Sequence, residues 1–316
     1  MMMATPERTR SDALLKTARA LAIDGSTARV VEALQAAGVD SILLKGPALA
    51  SWLYDDGQAR DYGDADLLVP IRKLPDAERA LTELGLRQIP GQMLLLGPDE
   101  HADPWVAEDG FEVDLHRTLF AASVAPEDVW THLWAATEPM SVGGMQVQVL
   151  TEPARALMVA VHAAQHGPEA EKPLEDLRRA IARVDDGTWA AAAELAGQVE
   201  LTHTYARGLR LDPAGAGLAE RLGLLDDRII ELAEAHGSRA RLAVGFERLK
   251  RADGLRAKLS LLRREVVPKP AYLRWWSPLA RRGPLGLAAA YVWRLLWLAW
   301  HAPPTLIAWR RVRRQR

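Results

Sequence analysis

The chain has 316 residues, 49% hydrophobic and 26% charged, a balance that fits an ordinary globular protein with enough length for a sizeable core. It contains no cysteine, which excludes disulfides, thiolate-bound zinc and cysteine nucleophiles and fits a reducing cytoplasm. The net charge of −1 hides an asymmetry. From Arg263 to Arg316 twelve Lys or Arg stand against the single Glu265, a balance of +11 that leaves −12 for everything before it.

The N-terminus mixes charges with short apolar groups and lacks the continuous apolar core of a secretory signal. Leu14, Leu15, Ala18, Leu21 and Ala22 recur at helical spacing, so a first helix is expected over about 11–22. A second is expected over about 26–37, with Ser26 as N-cap and Gly38 beyond its end. The apolar run Ile42-Leu43-Leu44 then reads as a strand. It turns at Lys45-Gly46-Pro47, where glycine takes backbone angles closed to other residues and proline suits the first turn of a helix. That helix should run from about Ala48 to Tyr54 and stop at Asp55-Asp56-Gly57.

A second strand, Asp64 to Val69, follows. Side chains alternate across a strand, so Asp64 and Asp66 share a face. Two adjacent carboxylates repel unless a cation lies between them, and hard oxygen ligands favour magnesium or manganese. The plainer alternative is a solvated strand end whose aspartates cap backbone amides.

Beyond Pro70, residues 74–84 look helical and stop at Gly85, while 86–89 and 93–96 are short strand candidates. The segment Phe111 to His116 alternates apolar with polar, placing Glu112, Asp114 and His116 on one face of a further strand. If that strand lies beside the first acidic one, a third carboxylate joins the pair, and Asp114 is preferred to Glu112. The alternation VGGMQVQVL over 142–150 predicts one more strand. Thr151-Glu152-Pro153 then starts a helix with Thr151 as N-cap. From there to about residue 262, Ala-, Leu- and Arg-rich helical patterns replace the strands.

The order of strand, glycine turn, helix, D-x-D strand and later acidic strand resembles the polymerase-beta-like nucleotidyltransferase superfamily. More narrowly, LLKGPALASWLY, the segment Arg60 to Val69 and VDLH resemble a bacterial family described as uncharacterised nucleotidyltransferases, over roughly residues 15 to 185. The resemblance implies an α/β fold of the α+β kind, a small mixed sheet carrying the active site within residues 1–150; the residue patterns add a helical domain over 151–262 and a basic, Trp-rich segment over 263–316. It implies transfer of a nucleoside monophosphate, foremost AMP from ATP, to an acceptor the sequence does not identify. Magnesium or manganese would be held by Asp64, Asp66 and Asp114, with Asp114 also placed to take the nucleophile's proton.

Better-studied superfamily members follow the glycine with a serine that grips phosphate. Pro47 stands here instead, with neither hydroxyl nor N–H to offer. Triphosphate binding then falls to Lys45, the Gly46 amide, the free amides of the next helical turn and Arg60. The same departure favours an alternative: a catalytically weak or inactive nucleotidyltransferase-fold binding subunit in a biosynthetic or membrane-associated assembly. A third reading is a toxin–antitoxin type enzyme acting on protein or RNA.

His162 and His166 lie four apart in HAAQH and so share a helix face. The motif lacks the glutamate of the H-E-x-x-H zinc peptidases, so structural histidines are the better reading. Asp176 could accept a hydrogen bond from one of the two rings, and with His116 these residues are candidates for touching or orienting substrate. In the tail, residues 285–300 are apolar except for Arg294, and six of the eleven tryptophans follow Val267. Sixteen residues broken by an arginine are short for a spanning helix. The tail is therefore expected to pack on the chain, to meet a protein partner, or to lie at a membrane surface as a peripheral contact of a cytoplasmic protein. The run is too continuous for a nucleic-acid groove.

Overall fold

In the computed structural model, residues 6–54, 60–89, 101–122, 124–224 and 277–314 are described, with scattered positions between 254 and 274. Side chains of 6–16, 304, 305 and 308–314 lie outside that description. So do the expected stop at Asp55–Gly57, the strand expected over 93–96 and nearly all of the helical pattern between 225 and 262.

Helix α1 (Pro6–Ala36) is one helix where two were expected. Ile23, Thr27, Val30, Val31 and Leu34 are buried at continuous helical spacing across Gly25. Burial of that stripe outweighs the roughly 1 kcal/mol that a mid-helix glycine costs. Ser26 caps nothing, and its Oγ accepts from Arg29 Nη2 at 3.1 Å.

Strand β1 (Ile42–Leu43) leads through Gly46, at φ 63°, into α2 (Pro47–Leu53) with Pro47 in its first turn. β2 (Asp64–Leu68) follows, then a 3-10 turn (Ile71–Lys73), α3 (Leu74–Glu83), β3 (Arg87–Gln88), β4 (Ala102–Val106) and β5 (Glu112–His116). Helix α4 (Pro126–Trp134) precedes β6 (Thr137–Val142) and β7 (Met145–Leu150). The seven strands form a mixed sheet in the order β3-β4-β5-β2-β1-β7-β6.

The segment 142–150, expected as a single strand, is the turn and second arm of a hairpin, with Val142 opposite Met145. Gly143 and Gly144 both have positive φ, the backbone that two-residue hairpin turns demand. Pro139 is accommodated because β6 is an edge strand.

Alternation divides the sheet's apolar residues between two layers. Leu43, Ala65, Leu67, Val113, Leu115, Val147 and Val149 pack with Val30, Val31 and Leu34 of α1 and with α3. Ile42, Leu44, Leu68 and Leu150 face the other way, into a cluster shared with α2, α4 and the helices after residue 151. Those helices are α5 (Glu152–His166), α6 (Glu171–Arg183), α7 (Asp186–Gln198), α8 (Thr202–Leu209) and α9 (Pro213–Arg221). Thr151 stands at the N-cap of α5, as expected, but its side chain makes no capping bond.

Helix α5 is buried along most of its length, and α8 crosses it at Gly208. A Cβ there would lie 1.8 Å from the carbonyl oxygen of Ala160. Gly208→Ala is expected to force the two helices apart and to cost about 2 kcal/mol, the range of an overpacked core, which thermal denaturation would measure. The C-terminal helix spans Gly283–Arg314. Among the described residues no helix is long and apolar enough to cross a membrane.

Candidate active site

Asp66 and Asp114 are paired neighbours on the parallel strands β2 and β5, and Leu68 is paired with His116 two residues further on. Because Leu67 and Leu115 point to the α1 layer, Asp66, Asp114 and His116 point to the opposite layer, towards α5. Burial of the apolar side chains therefore fixes which way the polar ones face.

Asp66 is 3% exposed. Lys45 Nζ lies 2.7 Å from its Oδ1, and His116 Nε2 lies 3.0 Å from the same oxygen. Burial alone would raise the Asp66 carboxyl, but the Lys45 ammonium and the His116 ring outweigh it and hold the group well below the usual carboxylate range. Asp114 moves the opposite way: burial and the neighbouring Asp66 charge, with a contribution from Asp64, push it up. One ligand atom each from Asp66, Asp114 and His116 lies within 4.8 Å of the other two. Among the described residues these form the one such group. Two carboxylate oxygens and an imidazole nitrogen suit a divalent cation such as manganese, and less strictly magnesium.

Asp64 shares the face and is half-buried, yet its carboxylate is not in that group. His116 takes a place the sequence reading gave to Asp64. The register explains this, since the pair opposite Asp64 is the exposed Glu112, while Asp66 and His116 lie deeper in the strands.

Arg60, expected at the triphosphate, is paired with Asp176 of α6. Its Nε and Nη2 donate to Asp176 at 3.0 and 2.8 Å, in a pair whose side chains are 2% and 1% exposed. Asp176 engages two of the three guanidinium nitrogens in fork geometry, and Nη1 is buried without a partner. Asp176 in turn accepts from Arg60 and from Tyr54 Oη at 2.7 Å, and not from His162 or His166 as the sequence reading allowed. The Arg179 guanidinium covers the Tyr54 ring at 4.2 Å from its centroid.

The two histidines of α5 contact each other edge to face, with centroids 4.6 Å apart. His162 is buried with no partner at Nδ1. Burial and the nearby Lys45 charge lower both rings, so they are neutral at physiological pH. Neither belongs to the candidate cation group.

Periodicity gave no sign of His101, which precedes β4. Its ring lies 5.4 Å from that of His116, with Gln165 Nε2 3.3 Å from its Nε2. Burial first, then the His116 and Lys45 charges, push His101 down to about 4. The strand that carries His101 into place contains Pro104, which masks the pattern a strand reading relies on. Lys172 of α6 was also missed, and its ammonium is lowered by burial and by Arg60.

The family described as "Uncharacterised nucleotidyltransferase" matches residues 4–213, about two thirds of the chain. The chain belongs to that family. No curated protein matches this nucleotidyltransferase. Among solved structures it is similar to the crystal structure of ANT(2")-Ia in complex with adenylyl-2"-tobramycin, at 16% identity and a TM-score of 0.38, covering 54% of this chain and 94% of that one. The lincosamide antibiotic adenylyltransferase LnuA, lincomycin-bound, aligns at 14% identity and a TM-score of 0.34, covering 48% and 91%. An antigenic nucleotidyltransferase-like protein from Paracoccidioides brasiliensis aligns at 13% identity and 0.33, covering 58% and 91%.

Proposed function

We propose that this nucleotidyltransferase moves a nucleoside monophosphate, AMP from ATP in the first place, onto an acceptor oxygen of a small molecule or peptide. The observation that carries the proposal is the register of β2 on β5. It sets Asp66 beside Asp114, with His116 in reach of both, where the Gly46 turn brings up Lys45.

Asp66, Asp114 and His116 are the residues that would hold a divalent cation, with Asp64 a further carboxylate beside them. When bound, the cation would neutralise phosphate charge and polarise the reacting phosphoryl group. The acceptor hydroxyl oxygen attacks the α-phosphorus, forming one P–O bond. The bond from that phosphorus to the bridging oxygen breaks, and pyrophosphate leaves. Asp114, raised by burial and by Asp66, takes the hydroxyl proton. Lys45 and the Gly46 amide at the start of α2 hold the triphosphate.

His162, whose buried Nδ1 has no partner, would hydrogen-bond substrate from the α5 side. His166, at the exposed end of the same helix, and the helices after it would supply acceptor specificity. Arg60 and Asp176 act through position and do not touch the nucleotide.

A second reading has a specific observation behind it. Lys45 Nζ and His116 Nε2 both contact Asp66 Oδ1, so charge on this carboxylate is already balanced by the protein, and Pro47 replaces a phosphate-gripping residue. A binding subunit that holds nucleotide without turning it over would look like this.

Calorimetric titration with non-hydrolysable ATP, GTP, CTP and UTP, with and without magnesium or manganese, tests the first reading. One nucleotide is expected to bind only with the cation, and Asp114→Asn should weaken that binding at least about tenfold. Cation-dependent binding with no product from any acceptor would favour the binding subunit. Absence of binding under every condition would remove the nucleotide site altogether.

A further inference from the structure

The C-terminal helix is apolar on both sides, and only one side is covered. Ala290 and Arg294 are buried, and Ala290 packs with Leu273 and Ala280. Half a turn round, Leu285, Val292, Leu296, Trp300 and Ile307 follow one another at spacings of seven, four, four and seven residues, with Trp293 on the flank. All six are exposed, Leu285 at 87% and Trp300 at 77%. This line runs for about 33 Å at the rise of an α-helix. Ala288, Ala289, Ala299 and Pro303, which fill in the same face, are exposed as well. Apart from Arg294, on the buried side, no charge interrupts the helix between Gly283 and Trp309. A continuous apolar strip of that length is an interaction surface and not an ordinary solvated face.

The charge around the strip identifies its occupant. No acidic residue follows Glu265, Arg281 and Arg282 precede the helix, and Arg310, Arg311, Arg313, Arg314 and Arg316 close the chain. Pairing two copies along this face would bring two segments of charge +11 together, whereas an anionic surface complements them. An apolar strip with tryptophans, bracketed by arginines, matches a bilayer interface: the aliphatic groups enter the acyl boundary, the indole rings lie at the headgroups, and the guanidinium groups meet lipid phosphate. Among the described residues no helix is long and apolar enough to cross a membrane, so the geometry proposed is that of a helix lying flat.

We infer that the outer face of the C-terminal helix docks this nucleotidyltransferase on the surface of an anionic lipid membrane. The inference goes beyond the transfer reaction and stands whether or not the chain turns over.

Its test is flotation of the full-length protein with phosphatidylcholine vesicles and with vesicles also containing phosphatidylglycerol, beside the variant Leu296→Glu/Trp300→Glu. Both substituted positions are exposed, so the fold should survive, and circular dichroism with light-scattering mass would check it. The wild type is expected to float with the anionic vesicles, less so as salt rises, and to blue-shift its tryptophan emission. The variant should lose at least about tenfold in bound fraction, since two apolar anchors become charges in a field of lipid phosphate. Three results would overturn the inference: a wild type that does not float, a variant that floats equally well, or a wild-type dimer that the variant converts to monomer without any lipid binding.

Discussion

Replacing Asp66 with Asn is expected to abolish nucleotidyl transfer, by on the order of a thousandfold or more, and to destabilise the fold at the same time. The two effects have one origin. Asp66 is almost fully buried and carries the charge that balances Lys45, whose own side chain is 14% exposed. Removing one partner of a buried ion pair leaves the other without compensation, at a cost of about 3 to 5 kcal/mol. Residual access of water to Lys45 and the retained amide oxygen of Asn place the expected loss at the lower end. Thermal denaturation measures the stability term, and cation titration by calorimetry measures the site without relying on an assay of turnover. The double substitution Asp66→Asn/Lys45→Met separates the two effects: it should recover much of the stability, because no charge is stranded, and recover none of the cation binding. A single variant with wild-type melting and wild-type turnover would rule out Asp66 as the centre of the site.

The acidic strands were legible because the reasons for them are local. Apolar residues at every second position of β2 and β5 have one way to face the α1 layer, and that choice turns Asp66, Asp114 and His116 together towards the opposite layer. Gly46 was legible for the same kind of reason, since its φ of 63° is what a glycine beside a proline at a helix start supplies. The continuity of α1 was not legible. Gly25-Ser26 is a fair stop signal taken alone, and only the sheet surface that α1 covers decides against it. Likewise Arg60 looked like a phosphate ligand in a stretch rich in phosphate-binding residue types. Its partner Asp176 lies 116 residues away, and no local pattern links the two. His101 became part of the site through pairing of β4 with β5, a non-local contact on a strand carrying a proline.

The Arg60–Asp176 pair has the second large expected effect, and its sign separates a structural role from a nucleotide-binding one. Arg60 lies four residues before Asp64, so its guanidinium anchors the entry to β2 onto α6, across the layer where the candidate site opens. Desolvation opposes the charged form of Arg60, and the contacts with Asp176 more than restore it. Asp176→Ala would therefore bury a guanidinium with no counter-charge, at about 3 to 5 kcal/mol. It would also leave the Tyr54 hydroxyl without its acceptor. Arg60→Lys is expected to be costly too, because a lysine ammonium cannot reproduce the two-point fork on the carboxylate. The double variant Arg60→Met/Asp176→Leu, apolar and similar in volume, should be more stable than either single charge deletion. If Arg60 instead gripped a triphosphate, Arg60→Lys would melt like the wild type and bind nucleotide more weakly. The anchoring role gives the opposite pair of results: a lowered melting temperature, with nucleotide affinity unchanged in the protein that remains folded. Chemical denaturation together with nucleotide titration of that one variant distinguishes them, because each role moves a quantity that the other leaves in place.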